Sequence, residues 1–245
     1  MKRSIHEFAT AVSLITVLLA GCAPPQPPFS TPTAPTSSAE AGWQEDFEIS
    51  KCKMETTGSN QYFILEPGFQ LVLEGGMELL VITVLDEVVE VDGIQTRVVE
   101  ERESKNGELI EVSRNFFAIC ERTKDVFYFG EEVDMYQGGQ VANHSGAWRS
   151  GEGDARFGLI MPGTPLVGMK YYQEIAPDVA MDRAEIISLD ETFNTPAGKF
   201  SKSLKIKEGT ALNPLEMEYK TYAPGIGLIQ DQSLLLTEYG FIEGK

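Results

Sequence analysis

The chain has 245 residues and sets 20 Lys and Arg against 37 Asp and Glu, a formal charge of −17. With 42% hydrophobic and 23% charged residues it has the composition of a protein that buries a core, which excludes a wholly disordered chain. Its acidity excludes phosphate-backbone recognition as a main role, since the longest basic run is Lys2-Arg3, and two histidines in all exclude a His-rich metal centre.

Residues 1–21 read as an export signal. Lys2 and Arg3 form a positive start, and Phe8 to Ala20 carries no charge. That run is too short for a membrane-spanning helix, which takes ~20 apolar residues, and fits the apolar part of a signal peptide. It ends in Leu19-Ala20-Gly21-Cys22, which resembles the bacterial lipobox. That resemblance implies cleavage before Cys22 and acylation of its sulfur. Two or more acyl chains, at ~0.8 kcal/mol per buried CH₂, hold a protein on a bilayer where one chain does not. Residue 23 is Ala rather than Asp, which in the Gram-negative sorting pattern points to the outer membrane, facing the periplasm.

Residues 22–46 read as the lipidated Cys and a linker, with Pro24, Pro25, Pro27, Pro28, Pro32 and Pro35 among Ser, Thr and Ala. Such segments favour extended polyproline II. Removing residues 1–21 leaves 18 basic and 36 acidic residues, a net of −18. A body that acidic is repelled by anionic headgroups, so the expected membrane contact is the lipid alone.

Residues 47–245 read as one globular domain. Export places Cys52 and Cys120 where disulfides persist. A bridge between them closes a loop of roughly 70 residues, worth ~4 kcal/mol in the chain-entropy model. The rival is a buried thiol at the end of the apolar strand Asn115–Cys120, and the sequence leaves both open.

From residue 60 onward short strands alternate with turn signals. Phe69–Glu74 and Met77–Leu85 flank Gly75-Gly76. Asp92-Gly93 leads into Ile94–Glu103, and Asn106-Gly107 into Glu108–Cys120. Asn-Gly favours a type I′ turn because both central residues need positive φ. Centring the hairpin there pairs Arg102 with Glu111, Thr96 with Phe117 and Ile94 with Ile119, each a favourable cross-strand neighbour. Further strands are expected at Asp125–Phe129, at Val133–Tyr136 and Gln140–Asn143 around Gly138-Gly139, and at Lys170–Ile175. Arg183–Phe193 and Lys199–Glu208 flank Thr195-Pro196-Ala197-Gly198. Glu216–Ala223 and Ile226–Ile229 flank Pro224-Gly225, and Leu234–Tyr239 closes the chain. No convincing helical periodicity appears after residue 45. The expected fold is all-β: antiparallel strands in a single open barrel or sandwich, preceded by a disordered Pro-rich tether.

Three stretches carry a resemblance. Tyr62-Phe63-Ile64-Leu65-Glu66-Pro67-Gly68, the turn Thr195-Pro196-Ala197-Gly198-Lys199-Phe200, and Tyr222-Ala223-Pro224-Gly225-Ile226-Gly227-Leu228-Ile229 are similar to an uncharacterised family of secreted bacterial β-rich proteins and lipoproteins. The resemblance spans roughly residues 60–240. It implies an antiparallel β domain and assigns no catalytic residue.

Residues 144–172 form the candidate functional segment, a Gly-rich stretch that breaks the strand rhythm. It holds Trp148, Arg149, Phe157 and Met161 and runs into Tyr171-Tyr172. Aromatic and Arg side chains are usual anchors of binding surfaces. At a barrel mouth they would hold an apolar or glycan ligand, and in the bland alternative they plug one end of the core. The adjacent acids Asp86-Glu87, Glu100-Glu101, Glu131-Glu132 and Asp190-Glu191 read as solvated faces and strand-edge charges. Calcium is the metal best suited to such a chain, with Glu131, Glu132 and Asp134, or Asp178 and Asp182, as ligands. Neither set has EF-hand spacing, so no metal, cofactor or catalytic residue is assigned.

The reading that follows is a lipid-anchored envelope protein, a non-enzymatic binding or structural module with no role in nucleic-acid binding. An envelope hydrolase using acidic residues and an assembly factor contacting another envelope protein are the alternatives. Two close carboxylates of raised pKa in a cavity favour the hydrolase. A deep apolar cavity favours ligand carriage, and a filled core with an exposed aromatic patch favours a protein partner.

Overall fold

The computed structural model describes residues 42–242, so the leader, Cys22 and the linker up to residue 41 lie outside the described residues. Within them every regular element is a strand. These are β1 (Met54–Glu55), β2 (Gly58–Ser59), β3 (Ile64–Leu65), β4 (Phe69–Gly75), β5 (Glu78–Val91) and β6 (Ile94–Lys105). There follow β7 (Glu108–Cys120), β8 (Val126–Gln137), β9 (Gln140–Asn143), β10 (Trp148–Arg149), β11 (Arg156–Met161) and β12 (Lys170–Tyr172). The last are β13 (Glu174–Ile175), β14 (Asp182–Thr195), β15 (Gly198–Thr210), β16 (Met217–Ala223), β17 (Gly227–Asp231) and β18 (Leu234–Phe241).

The ladders are antiparallel. The main sheet runs β12-β14-β15-β16-β17-β18-β4-β5-β6-β7-β8-β11-β13. Its two ends, β12 and β13, are pieces of one segment separated by Gln173. The sheet therefore comes round on itself as a barrel with one seam, and the edge problem of an open sheet is largely removed. The single strand expected over 170–175 divides because its two halves pair with different neighbours. Tyr171 lies opposite Ala184 of β14, while Glu174 lies opposite Phe157 of β11.

The turn at Asn106-Gly107 has the expected conformation, with φ of 56° and 80°. Lys105 faces Glu108 and Ser104 faces Leu109, as centring the hairpin there requires. Beyond that the register slips by one at a bulge. Glu103 faces Glu111, Arg102 faces Val112 and Arg97 faces Phe117, so the expected pairs of Arg102 with Glu111, Thr96 with Phe117 and Ile94 with Ile119 do not form. The reason lies at Arg114. Without the bulge it would face Val99, a buried residue of the interior wall. With it, Arg114 faces Glu100 on the outer surface, where it pairs with Glu87 and Glu132.

The Gly-rich stretch 144–168 is more ordered than its composition suggests. It supplies β10 and β11, and β11 carries the seam. Gly158 explains the misreading: a Cβ there would overlap the Gln173 carbonyl, so this glycine marks close backbone approach inside a sheet and not a flexible loop. Likewise Asp125–Phe129 and Val133–Tyr136 belong to one long strand, β8, bent at Gly130 where the Trp148 backbone packs against it.

The chain ahead of β1 is tied to the seam. Gln44 donates its backbone N–H to Lys170 and accepts that of Tyr172. Trp43 packs under the Arg183 guanidinium at 4.7 Å, and Phe47 meets Phe127 edge-on at 5.9 Å. Cys52 and Cys120 form a disulfide, S–S 2.04 Å, that fastens this segment to the end of β7.

Candidate functional site

The six side chains that the sequence offers as ligand anchors are brought to the seam side of the barrel and taken up in packing. Trp148 is buried edge-on against Tyr128, ring centroids 5.2 Å apart. Arg149 lies over Phe116 at 4.8 Å and is ion-paired with Glu132. Phe157 stacks on Phe129 at 5.1 Å, Met161 is fully buried, and Tyr172 meets Trp43 edge-on. Tyr171 is also fully buried, but its hydroxyl has no hydrogen-bond partner among the described residues. None of the six lines the cavity of the barrel; Phe157 borders a separate cleft beside Phe47 and Arg156.

The barrel holds a cavity of about 120 Å³ whose lining is part apolar and part charged. The apolar part includes Phe63, Ile64, Phe69, Leu71, Ile82 and Phe117. The charged part is Glu101, Glu208, Lys220 and Asp231. The ladders place Glu208, Lys220 and Asp231 together on β15, β16 and β17, and Glu101 beside the apolar residues of β4 and β5. Lys220 of β16 lies directly opposite Asp231 of β17 and Ile206 of β15. Two residues further along β15 on the same face is Glu208. Glu101 of β6 lies opposite Ile82, itself opposite Leu71 of β4.

Lys220 is the hub. Its ammonium is 2.9 Å from Glu208, 3.3 Å from Glu218 and 3.8 Å from Asp231. Burial works against its charge, but the surrounding carboxylates outweigh it and hold Lys220 protonated well above the ordinary lysine range. Gln173, at the seam, donates to Glu208 at 3.1 Å. Glu101 has no hydrogen bond and no ion pair among the described residues. Burial pushes its pKa up to about 7; Lys220 opposes this, while Asp231, Glu103 and Glu131 add to it. Asp231 is raised to about 6, again chiefly by burial.

The excess of acid continues beyond the cavity wall. Glu103 and Glu111 face each other across strands, a like-charge pair created by the bulge, and burial raises both. Glu131, beside Asn115 and Tyr128, is raised to about 7. Glu174 is buried, accepts the backbone N–H of Asp182 at 2.6 Å, and is raised well above its usual range. Tyr171 belongs to the same interior: it sits opposite Ala184, and Ala184 sits opposite Glu208, so the small alanine leaves the tyrosine facing that carboxylate. An orphaned buried hydroxyl costs about 1–3 kcal/mol.

Strand alternation splits two of the adjacent acid pairs. Glu100 and Glu132 point outward to Arg102, Arg114 and Arg149, while Glu101 and Glu131 point inward, so the solvated-face reading holds for one member of each of these two; Asp86 and Glu87 are both exposed, as is Asp190. The same alternation turns Glu131 away from Glu132 and Asp134, which share the outer face of β8 and are held by Arg149 and by His144, the latter at 2.9 Å. Among the described residues no group of three or more His, Cys, Asp or Glu has metal-holding geometry.

Fold and site together define a seam-closed antiparallel β-barrel with an amphipathic, acid-rich interior. No protein-family model matches the chain, and no curated protein matches it. Among solved structures, a protein of Parabacteroides distasonis provisionally assigned as a lipoprotein is similar over 75% of this chain and 100% of its own, at 14% identity and a TM-score of 0.36. A likeness of that size carries no functional information.

Proposed function

We propose that this is a lipid-anchored protein of the bacterial envelope, sited on the periplasmic face of the outer membrane in a Gram-negative cell, and that its barrel encloses a small-ligand site. The observation that supports a binding module is the cavity itself, lined by apolar side chains together with Glu101, Glu208, Lys220 and Asp231. A ligand there is gripped by apolar contact and oriented by a few polar groups. The Cys22 anchor, supported by the lipobox resemblance, holds the barrel at the membrane.

The test is a fragment panel followed by saturation-transfer NMR on the full mature chain in detergent. Fragments that compete for one site, and lose binding in Val99→Trp, where the indole fills the cavity, are the expected result. Binding that persists in Val99→Trp would move the site elsewhere on the surface.

The hydrolase reading has one observation in its favour. Glu101 and Asp231 both line the cavity, with pKa values raised to about 7 and about 6, which lets one carboxyl stay protonated while another ionises. Size argues the other way, since small-molecule sites usually run to ~300 Å³ or more and this cavity has no room for a polymer chain. Turnover of small chromogenic esters, amides or glycosides that disappears in Glu101→Gln would replace the binding reading with the hydrolase.

A further inference from the structure

The ligand class can be argued from the charges facing the cavity, given the binding reading above. Three carboxylates, Glu101, Asp231 and Glu208, and one ammonium, Lys220, line it. With all four ionised the wall is two charges negative. Lys220 is fully engaged with Glu208, Glu218 and Asp231. Glu101 has no ion pair among the described residues, and Lys220 acts on it only at longer range. An anionic guest would meet a net repulsion, and a neutral one would leave Glu101 as it is.

The rest of the lining is aliphatic and aromatic, with Phe63, Ile64 and Phe117, and suits the body of an amphipathic cation better than a hydrated metal ion. Access also fits a cation. Glu208 and Lys220 border a cleft with Asp182, Glu216 and Glu218, and Asp231 borders another with Glu78 and Glu103. Both lie at the barrel end bearing the Asn106-Gly107 and Gln232-Ser233 turns, where these acids outnumber the cations Lys105, paired with Glu78, and Lys220, an excess that raises the local concentration of cations.

We propose that the barrel interior is a site for a small organic monocation, an alkylammonium whose charged head sits against Glu101 and Asp231 and whose apolar body lies along Phe63, Ile64 and Phe117. A cavity of about 120 Å³ admits a body of four or five carbons, on the scale at which one of ~150 Å³ takes benzene.

The experiment is isothermal titration of the full mature chain in detergent with n-butylammonium, 1-butanol and butyrate, at pH 8 and pH 5.5. At pH 8 butylammonium binds at least tenfold more tightly than butanol, and butyrate binds least. In Glu101→Gln the advantage over butanol falls tenfold or more; Asp231→Asn, with a urea midpoint measured for each variant, guards against a folding artefact. At pH 5.5, where Glu101 is protonated among Lys220, Asp231, Glu103, Glu131 and Glu208, the advantage shrinks. Equal or better binding of butanol or butyrate would overturn the cation while leaving the ligand site standing. Binding of none of the three, together with no fragment lost in Val99→Trp, would overturn both.

Discussion

Replacing Glu101 by Gln tests the electrostatics of the interior directly. The carboxyl is raised from an ordinary 4.5 to about 7, with burial the largest cause. An acid with a raised folded pKa favours folding when protonated. Its contribution is fully present below about pH 4.5 and is lost as pH rises to about 7. A displacement of that size corresponds to up to ~3 kcal/mol at pH 8. Water reaches the cavity, and Asp231 and Glu131, raised to about 6 and about 7, share the effect, so about half that is expected. Glu101→Gln, which has no proton to lose, therefore stabilises the protein by about 1–2 kcal/mol at pH 8 and by little at pH 4.5. Urea denaturation of both proteins at pH 4.5, 6, 7 and 8 gives the difference. A stability difference that does not change with pH, or a loss that grows toward pH 8, would refute the placement of Glu101 in a desolvated, acid-crowded wall.

Three further outcomes follow from the same contacts. Lys220→Met strips the hub from Glu208, Glu218 and Asp231; breaking a buried pair costs about 3–5 kcal/mol, so the variant loses that much at pH 8 and less at pH 5, read by urea denaturation. Gly158→Ala forces a methyl into the Gln173 carbonyl at the seam, and hydrogen exchange of residues 170–175 rises well before that of β5 and β6. Reduction of Cys52–Cys120, which spans 68 residues, costs about 2–5 kcal/mol and is read as a lower urea midpoint under reductant; an unchanged midpoint would contradict the bridge.

Much of the fold was legible because hairpins announce themselves locally. Asp92-Gly93, Asn106-Gly107 and Gly138-Gly139 all adopt positive φ, and each closes a pair of strands. What lay between the turns was less legible. The bulge that sends Arg114 outward is decided by a partner strand, and turn chemistry alone is blind to it. Gly158 looked like loop punctuation because close backbone approach and flexibility call for the same residue. The interior acids were hidden for a related reason. Period-two alternation puts Val99, Glu101 and Glu103 on one face of β6, but which face becomes the inside is settled by β5 and β7. The pattern Glu218-x-Lys220-x-Tyr222 was the one local hint, a lysine spaced between an acid and an aromatic on a single strand face. The aromatic anchors of 144–172 were visible in the sequence, yet their destination was the packing around the seam.

The central claim is that the barrel interior receives the ligand. Methyl NMR of the full mature chain, titrated with butylammonium, tests it most directly. Saturable shifts at the cavity-lining methyls, Ile64 with Leu71, Ile82, Val84 and Val99, with the surface methyls of Leu212 and Leu215 unmoved, are the predicted result. Shifts at the surface methyls alone, or at none, would contradict it.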